Sequence, residues 1–346
     1  MIYIPNSSLD PHFNLALEEY VLKYLEAGQY ILLWQNNPSV IVGRFQNTLG
    51  EVNMEYVRRH NVHVVRRITG GGAVYHDLGN LNFSFIERKP KGAIDLGAYS
   101  RRVAEALRKM GLRVELTARN DLTIDGKKFS GNAQCIFKDR ILHHGTILFD
   151  SNLSSLEAAL SARPEKVAVK GVKSLRQSVT NLIDYMPNKM SIVDFRNCLL
   201  EHLCEKDPVQ VLELDESHLS AVKELVAQKY GTWEWNYNES PDYNLRASRK
   251  FDWGEVEFYL KVANGVIEWC RIYGDFSTYA ETSDLEKALC GVSYSEAELK
   301  AAYYRLDVPR YLNNMGLEDF MQLLFGDHGC ASSRSAPARN CPGCQG

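Results

Sequence analysis

Residues 66–77, RRITGGGAVYHD, place two arginines directly before three consecutive glycines. Glycine has no Cβ, so its backbone can lie flat against a ligand while its N–H groups point at carboxylate or phosphate oxygens. Arg66 and Arg67 would hold the same anion. The alternative is a flexible hairpin loop, because the segment matches neither the P-loop pattern nor a glycine fingerprint that opens a helix.

A second candidate segment is RNDLTIDGKKFSGNA, residues 119–133, in which a strand carries Lys127 and Lys128. Successive side chains of a strand point to opposite faces, so at most one of the two lysines enters a site. The alternative is a solvated turn after Asp-Gly.

Two more segments carry titratable groups. LHHGTILFD (142–150) brings His143 and His144 into an apolar strand, where a histidine is more often structural than a ligand. RPEKVAVKGVKSLRQSVTNL (163–182) is either part of an anion site or a charged surface helix or loop. Its cations are Lys166, Lys170, Lys173 and Arg176.

The elements that must position these groups follow from periodicity. Residues 10–28 predict an amphipathic helix with the stripe Phe13, Leu17, Tyr20, Val21, Tyr24 and Leu25. NLNFSFI (80–86) alternates, which predicts a half-buried strand with Asn82 and Ser84 on its polar face. Further helices are predicted over 98–111, 151–162, 191–205 and 217–230. Further strands are predicted within 30–43 around an Asn-Asn-Pro turn, at 62–67, and around 113–124, 127–136 and 141–149.

The chain is long enough for two domains. Its first part mixes antiparallel-looking strands with few helices and lacks a βαβ rhythm. Residues 231–245 look like a connection. A second unit starts near Arg246, with a hairpin turning at Asn264-Gly265 and three short helices around 284–290, 295–305 and 316–325. We therefore predict domains at 1–245 and 246–328 and a disordered tail at 329–346.

Composition limits the class of protein. The 346 residues carry a net charge of -3, which gives no basic field for nucleic acid or anionic membrane. No apolar run approaches the ~18 residues of a spanning helix, and the first residues lack the charged region of a signal peptide. Five scattered cysteines suit a reducing cytosol, so we expect a cytoplasmic protein.

Three further cysteines, Cys330, Cys341 and Cys344, cluster in the tail. Their spacing would allow Zn²⁺ binding, with His328 as a conceivable fourth ligand, or a disulfide. The alternative is a disordered tail with incidental cysteines, because nothing apolar there can fold.

The quoted segments occur together with GRFQN (43–47) and an opening DPHFNLALEE, in an order that resembles the lipoate–protein ligase family. The similarity runs from about residue 9 to about residue 325. It includes RKFDWGEVEFYLKVANGVI, which is similar to the C-terminal domain of the long bacterial ligases. The resemblance implies an α+β catalytic fold shared with biotin ligases. That fold has a mixed, mostly antiparallel sheet flanked by helices, with a small, mobile α+β accessory domain.

The resemblance also implies a reaction. Lipoate is activated with ATP and Mg²⁺ to lipoyl-AMP with release of pyrophosphate. The lipoyl group then passes to a lysine of lipoyl-domain proteins, namely 2-oxoacid dehydrogenase acyltransferase subunits and the glycine cleavage H protein. Lys128, the lysine of K-x-S-G-x-A, is the implied catalytic residue, bridging the acyl carbonyl and the α-phosphate. Asp121 could bind Mg²⁺ or receive the incoming lysine's proton.

Binding residues are implied by the same resemblance. Those against ATP or the adenylate are Arg67, Gly72, Ala73, Val74, Tyr75, Asn120, Asp121, Lys128, Lys170 and Lys173. Those against lipoate are Leu15, Trp34, Arg67, Gly70, Gly71, Gly72, Val74, His76, Lys128, Ala133 and His144. Residues 166–182 would cover the adenylate.

Three alternatives remain. An octanoyltransferase of similar fold uses no ATP but has a cysteine nucleophile upstream of the motif lysine. No cysteine occurs here between Met1 and Gln134, and Cys135 follows the lysine. A biotin ligase would carry a Gly-Arg-Gly loop in place of TGGGAVYHD. A non-catalytic lipoate-binding protein would not need Lys128.

Overall fold

The computed structural model describes residues 1–89, 97–118, 120–160, 179–205, 209–237, 243, 245–276 and 278–325. Arg119, the segment 161–178 and the segment 326–346 lie outside the described residues. With them go the predictions for Lys170, Lys173 and the cysteine-containing tail.

The strands are β1 (Ile2–Tyr3), β2 (Tyr30–Trp34), β3 (Ser39–Val42), β4 (His63–Arg66), β5 (Val74–His76), β6 (Asn80–Arg88), β7 (Glu115–Leu116), β8 (Leu122–Ile124), β9 (Lys127–Ser130), β10 (Asn132–Phe137), β11 (Arg140–Leu148), β12 (Gln210–Val211), β13 (Leu245–Phe251), β14 (Gly254–Ala263) and β15 (Val266–Gly274). The α-helices are α1 (Pro11–Lys23), α2 (Thr48–Glu51), α3 (Met54–Arg59), α4 (Ala98–Lys109), α5 (Leu153–Leu160), α6 (Ile192–Cys204), α7 (Glu216–Leu225), α8 (Trp233–Tyr237), α9 (Thr282–Leu289), α10 (Glu296–Arg305), α11 (Val308–Tyr311) and α12 (Leu317–Phe325). Leu182–Tyr185 forms a 3-10 turn, and Val226–Tyr230 continues α7 as a π-helical turn.

The largest sheet has six strands in the order β10-β11-β6-β2-β1-β12. Strand β1 runs parallel to β2 and β12, whereas β2, β6, β10 and β11 pair antiparallel. Two small sheets, β4-β3-β5 and β7-β8-β9, lie beside it. The predicted α+β class with a mixed, mostly antiparallel sheet is confirmed. The strands around the Asn-Asn-Pro turn are also present, but β2 and β3 join different sheets.

Strand β6 lies at the centre of the large sheet and differs from its prediction. Leu81, Phe83 and Phe85 pack into the core that includes residues of α4 and α6. The opposite face, with Asn82 and Ser84, is buried too, at 1% and 0% exposure. The half-buried prediction was wrong because helix α1 covers the polar face, and alternation in the sequence cannot reveal that second layer.

Helix α1 begins where the sequence predicts and ends earlier. The Asp10 side chain accepts a hydrogen bond from the His12 N–H, and Pro11 occupies the first turn, which are both helix-start signals. The helix ends at Lys23, and Tyr24, which was expected on the apolar stripe, is 65% exposed. Leu15 and Leu22 are buried in its place.

The C-terminal unit consists of the antiparallel sheet β13-β14-β15 and helices α9 to α12. Its predicted hairpin and three helices are confirmed. The turn places Asn264 and Gly265 at φ of 52° and 75°, as a two-residue hairpin loop requires. Strand β13 was not predicted, because LRASRKF is too polar to stand out.

Across the described residues, none of the helices combines the length and the apolar character needed to cross a bilayer.

Arg66 connects the N-terminal part to the segment 231–245, which is more than a connection. Its guanidinium is buried and donates to the carbonyls of Gly43, Gln46 and Trp235 and to Thr48 Oγ1. Burial lowers the pKa of Arg66 to about 10. Arg66 therefore does not hold an anion beside the glycines, as the sequence suggested, but fixes helix α8 against the loop after β3.

We expect Arg66→Lys to lower the free energy of unfolding by about 3 kcal/mol, since an ammonium group cannot reach all of these acceptors and leaves buried carbonyls unpaired. Chemical unfolding followed by tryptophan fluorescence measures the change. Arg58→Lys, at an exposed position of α3, is the control and should change little. Equal stability of the two variants would contradict this role of Arg66.

Candidate active site

A cavity of about 180 Å³ lies where helix α1, the six-stranded sheet, the β4-β3-β5 sheet and the β8–β9 hairpin meet. Residues that the sequence analysis assigned to ligand binding converge on it from distant segments. Those that line it are Leu15, Trp34, Arg67, Gly71, Gly72, Ala73, Val74, His76, Asp121, Lys128, Ala133 and His144. One cavity thus unites three of the four segments that first drew attention, 66–77, 119–133 and 142–150, and none of the described residues of 163–182 lines it.

Further lining residues had not been assigned. They are Ile41, Asn82, Gly131, Asn132, Gly145 and Thr146. Gly131 and Asn132 lie inside the Lys128 motif, and Asn82 lies on the polar face of β6, so a signal existed for these three. An isoleucine within an apolar strand, such as Ile41, carries no such signal.

Gly70, Tyr75 and Asn120 do not line the cavity. Tyr75 is the middle residue of β5, so it points away from the side of Val74 and His76 and packs with Val40 and Val42. The carbonyl of Gly70 accepts from Arg67, and that of Asn120 accepts from Asn132 Nδ2. The geometry therefore does not support ligand contact at these three positions.

Lys128 and Asp121 form an ion pair inside the cavity. Lys128 Nζ lies 2.9 Å from Asp121 Oδ1, and the two side chains are 30% and 13% exposed. Lys127, the preceding residue of β9, is exposed and does not line the cavity. The strand alternation expected from the sequence thus selects Lys128 as the lysine that enters.

Arg67 is buried in the cavity wall, and its guanidinium is directed at the glycine loop. It donates to the carbonyls of Ile41, Gly70 and Gly72 and to Thr69 Oγ1, at 2.7 to 3.1 Å. Burial lowers the pKa of Arg67 to about 10. In this conformation Arg67 shapes the loop, so the assignment to phosphate stays a prediction that these contacts do not support.

Gly71 and Gly72 of the loop lack a side chain for different structural reasons. Gly71 adopts a φ of +88°, a backbone conformation that side chains rarely allow. Its carbonyl oxygen would lie 1.9 Å from a Cβ on Gly43, so the two backbones touch only because Gly43 lacks one. A Cβ on Gly72 would meet no atom within 4 Å. Gly72 therefore leaves open space on the cavity side that a ligand could fill.

A chain of buried hydrogen bonds joins helix α1 to this loop. His144 Nδ1 lies 2.9 Å from Glu18 Oε1, and His144 Nε2 lies 2.8 Å from Thr69 Oγ1. Thr69 Oγ1 in turn accepts from Arg67 Nε. Glu18 and Thr69 were not singled out in the sequence, and their types give no hint of a pairing across the fold.

The carboxylate of Glu18 also fixes the orientation of the Trp34 indole. Ser84 Oγ donates to Glu18 Oε1 at 2.6 Å, and Trp34 Nε1 donates to Ser84 Oγ at 2.8 Å. Trp34, predicted as an apolar wall residue, thus has its indole orientation set through Ser84. His144 is both structural and part of the cavity wall, which combines the two interpretations left open for it.

His76 is neutral in the cavity wall. It is 3% exposed, its Nδ1 lies 3.0 Å from Asn36 Nδ2, and burial lowers its pKa to about 3. This contact connects strand β5 to the segment between β2 and β3.

Cys135 does not belong to the cavity. It packs against the core around helix α1, and burial raises the pKa of its thiol. A thiol with a raised pKa is a poor nucleophile. Within the described ranges, no cluster of three or more His, Cys, Asp or Glu side chains could hold a metal ion by itself.

The arrangement can take an elongated ligand with an anionic head. Leu15, Trp34, Ile41, Val74 and Ala133 supply apolar wall. The ammonium of Lys128 and the backbone of the glycine loop supply charge and N–H donors. Groups of this kind stabilise charge that develops on a bound acyl or phosphoryl group.

Comparison with known proteins shows similarity to lipoate–protein ligases. The family profile described as "Lipoyl protein ligase A/B catalytic domain" matches residues 10–204, and "Bacterial lipoate protein ligase C-terminus" matches residues 240–324. "Lipoate-protein ligase LplJ" of Bacillus subtilis (strain 168) is 38% identical over 331 residues, covering 94% of this chain and 100% of the relative.

Two solved structures are also similar. A structure described as "A bi-partite lipoate protein ligase and its E2 lipoyl domain from Thermoplasma acidophilum" is 30% identical with a TM-score of 0.61, covering 70% of this chain and 98% of that one. A lipoate-protein ligase A bound with ATP is 29% identical with a TM-score of 0.58, covering 68% of this chain and 98% of the other.

The hydroxyl of Thr69 bridges His144 and Arg67. We expect Thr69→Val to lower the free energy of unfolding by about 1–2 kcal/mol, because it leaves a buried acceptor and a buried donor without that partner. Thermal unfolding measures this. Thr69→Ser keeps the hydroxyl and should stay close to the unmodified chain, and an equal loss in both variants would argue against the bridge.

Proposed function

The chain belongs to the lipoate–protein ligase family, and we propose that it activates free lipoate with ATP to lipoyl-AMP and transfers the lipoyl group to lipoyl-domain proteins. One observation carries the proposal: Lys128 Nζ lies in a cavity that joins an apolar slot to the glycine loop. An acid and a nucleotide bound there would meet at this ammonium group.

The first step brings two anions together. The lipoate carboxylate must attack the α-phosphate of ATP, and at ~4 Å their repulsion is about 1 kcal/mol in water and several times larger in a partly dry pocket. We propose that Lys128 offsets it by contacting both the acyl oxygen and the phosphate. Asp121, which pairs with Lys128 here, would keep the ammonium oriented until the ligands arrive.

The second step uses the same ammonium. When a carrier lysine attacks lipoyl-AMP, negative charge develops on the acyl oxygen, and Lys128 would stabilise it while AMP leaves. The attacking amine must lose a proton. Among the described lining residues, Asp121 is the carboxylate available to take it.

Magnesium fits the site only as an ion held mostly by the nucleotide. Mg²⁺ is commonly bound by one or two carboxylates together with substrate phosphates, and Asp121 supplies one. The ion would neutralise phosphate charge. The two roles proposed for Asp121, binding Mg²⁺ and accepting a proton, are thus assigned to the same side chain. The relative that is bound with ATP supports ATP as the nucleotide substrate.

The lipoyl chain would occupy the apolar slot, against Leu15, Trp34 and Val74. The open space beside Gly72 would take part of the adenylate. Arg67 would not contact the ligand itself. It would hold the loop carbonyls in place so that N–H groups of the loop face the ligand. Lys170 and Lys173 stay predicted nucleotide contacts outside the described residues.

A transferase that uses no ATP is the alternative within the superfamily. Its cysteine nucleophile would have to lie near Lys128, and the described lining residues include neither cysteine nor serine. Transfer from an octanoylated carrier without ATP would favour this alternative.

The proposed partners are apo lipoyl domains of 2-oxoacid dehydrogenase acyltransferase subunits and the glycine cleavage H protein. The Thermoplasma acidophilum relative, which is described together with its E2 lipoyl domain, supports this class of partner. The cytoplasmic location remains a prediction from cysteine usage.

We further propose that the C-terminal unit moves during the reaction. It now contacts the site's own loops: Phe276 O accepts from the Gly71 N–H at 3.3 Å, and the Phe276 ring stacks on Phe45 at 5.1 Å. Arg44 pairs with Glu281 at the same junction. While the Gly71 N–H donates to Phe276 O, it cannot donate to an adenylate. Adenylate binding would therefore favour release of the C-terminal unit.

We predict that Lys128→Ala lowers the rate of lipoylation a hundredfold or more, because one donor aimed at a developing oxyanion contributes about 3–4 kcal/mol. The assay is mass spectrometry of a lipoyl domain after incubation with lipoate, MgATP and the full chain.

The matched control is Lys127→Ala, which removes an exposed lysine from the same strand and should have a mild effect. Equal losses in the two variants would refute the assignment of Lys128. Failure of the unmodified chain to release pyrophosphate from ATP and lipoate would refute the proposed activation itself.

Phe45→Ala removes the ring stack between the two parts of the chain, a contact of about 0.5–1.5 kcal/mol. We expect a larger radius of gyration without ligands and a roughly threefold faster transfer step. Small-angle scattering and single-turnover transfer measure these quantities. Phe45→Tyr keeps the stack and should match the unmodified chain, and unchanged scattering by Phe45→Ala would contradict the proposed release.

A further inference from the structure

The tautomer of His76 is fixed by a chain of buried amides. Asn14 Nδ2 donates to the carbonyls of Ser8 and Gln35, which are acceptors only, so the donor end of this amide is defined. The atom of Asn36 that lies 2.8 Å from this nitrogen is therefore the acceptor Oδ1, because two NH₂ groups would not face each other. The other end of the Asn36 amide is therefore its NH₂ group, and this faces His76 Nδ1 at 3.0 Å.

His76 Nδ1 must accept that hydrogen bond, so the ring proton resides on Nε2. Asn82 Nδ2, 3.5 Å from Nδ1, is a second donor on the same side. The low pKa of the buried ring excludes the doubly protonated form near pH 7. His76 Nε2–H is thus a buried donor, and it has no hydrogen-bond acceptor among the described residues.

The register of the large sheet locates one end of the cavity. A Cβ on Gly131 would lie 3.3 Å from Lys128 Nζ, and Gly131 O accepts from the Thr146 N–H. Thr146 is the cross-strand neighbour of Asn82, and Asn82 that of Trp34. Since strands lie about 4.8 Å apart, the path from the β10 side, where Lys128 lies, to Trp34 on β2 is about 14 Å.

His76 lies at the Trp34 end of this path. The His76 and Trp34 rings meet edge to face, with centroids 6.1 Å apart. A carboxylate held by Lys128 would therefore direct the far end of its acyl chain toward His76. In lipoate that end carries the two sulfur atoms of the dithiolane ring, whereas in octanoate it is a methyl group.

We propose that His76 Nε2–H donates a hydrogen bond to a dithiolane sulfur and thereby makes the site prefer lipoate over octanoate. This inference rests on the proposed function and adds its specificity. The Nε2–H has no acceptor among the described residues before a ligand binds, so even a weak bond to sulfur is a gain, whereas a methyl group leaves the donor without an acceptor. The preference comes from the difference between these two situations.

The test compares two acids in three proteins. In the unmodified chain, ATP-dependent pyrophosphate release with each acid gives kcat/KM for lipoate and octanoate. We expect His76→Phe to lower kcat/KM for lipoate about tenfold, mainly through KM, the size of one weak buried hydrogen bond. The value for octanoate should fall by a smaller factor, because octanoate loses no hydrogen bond, so the preference for lipoate decreases.

His76→Gln is the conservative variant. Its amide can accept from Asn36 and still donate toward the ligand, so the preference for lipoate should be largely retained. Equal loss with both acids in His76→Phe, or an unchanged preference, would overturn the proposal.

A second measurement needs no variant. In ¹⁵N-histidine-labelled protein, the Nε2 proton of His76 should shift on addition of lipoate and not of octanoate, and equal shifts would overturn the proposal. Pyrophosphate release with neither acid would instead show that the proposed function fails, so the two failures are distinguishable.

Discussion

Two opposite charges, Glu18 and Arg67, lie buried in the protein and are connected through His144 and Thr69. A buried charge that loses its partners is strongly unfavourable, so each member of this chain constrains the next. Glu18 belongs to helix α1, His144 to the large sheet, and Arg67 to the glycine loop. This series of hydrogen bonds therefore holds helix α1, the large sheet and the glycine loop in an arrangement that leaves a cavity between them.

The two ends of the cavity differ in how firmly their side chains are held. Its apolar end is held by buried groups that satisfy one another, as Trp34, Ser84 and Glu18 do. Its charged end is looser, because Lys128 and Asp121 form an ion pair with each other, lie on or next to a separate hairpin and retain some exposure. A rigid slot suits recognition of an acyl chain. An exchangeable ion pair suits a group that must change partners during a reaction.

The resemblance to lipoate–protein ligases singled out Lys128, whereas alternation indicated only that at most one of the two lysines enters a site. Sequence patterns predicted most helices and strands, because periodicity decides which face of an element a residue occupies. They failed where a second layer decides the outcome. Asn82 and Ser84 were expected to face water, yet α1 covers them. Arg66 and Arg67 were expected to share a role, but Arg66 serves the loop after β3 while Arg67 serves the glycine loop. Contacts between distant segments cannot be read from local spacing.

The glycine loop also connects the site to the C-terminal unit. Gly71 has its carbonyl against Gly43 and donates its N–H to Phe276 O, so one residue touches the loop after β3, the cavity and the other unit. A single N–H donor cannot fully serve a carbonyl and a bound anion at once. A ligand that accepts a hydrogen bond from this N–H must therefore change the affinity of the loop for the C-terminal unit, and by linkage the position of that unit must change the affinity for the ligand.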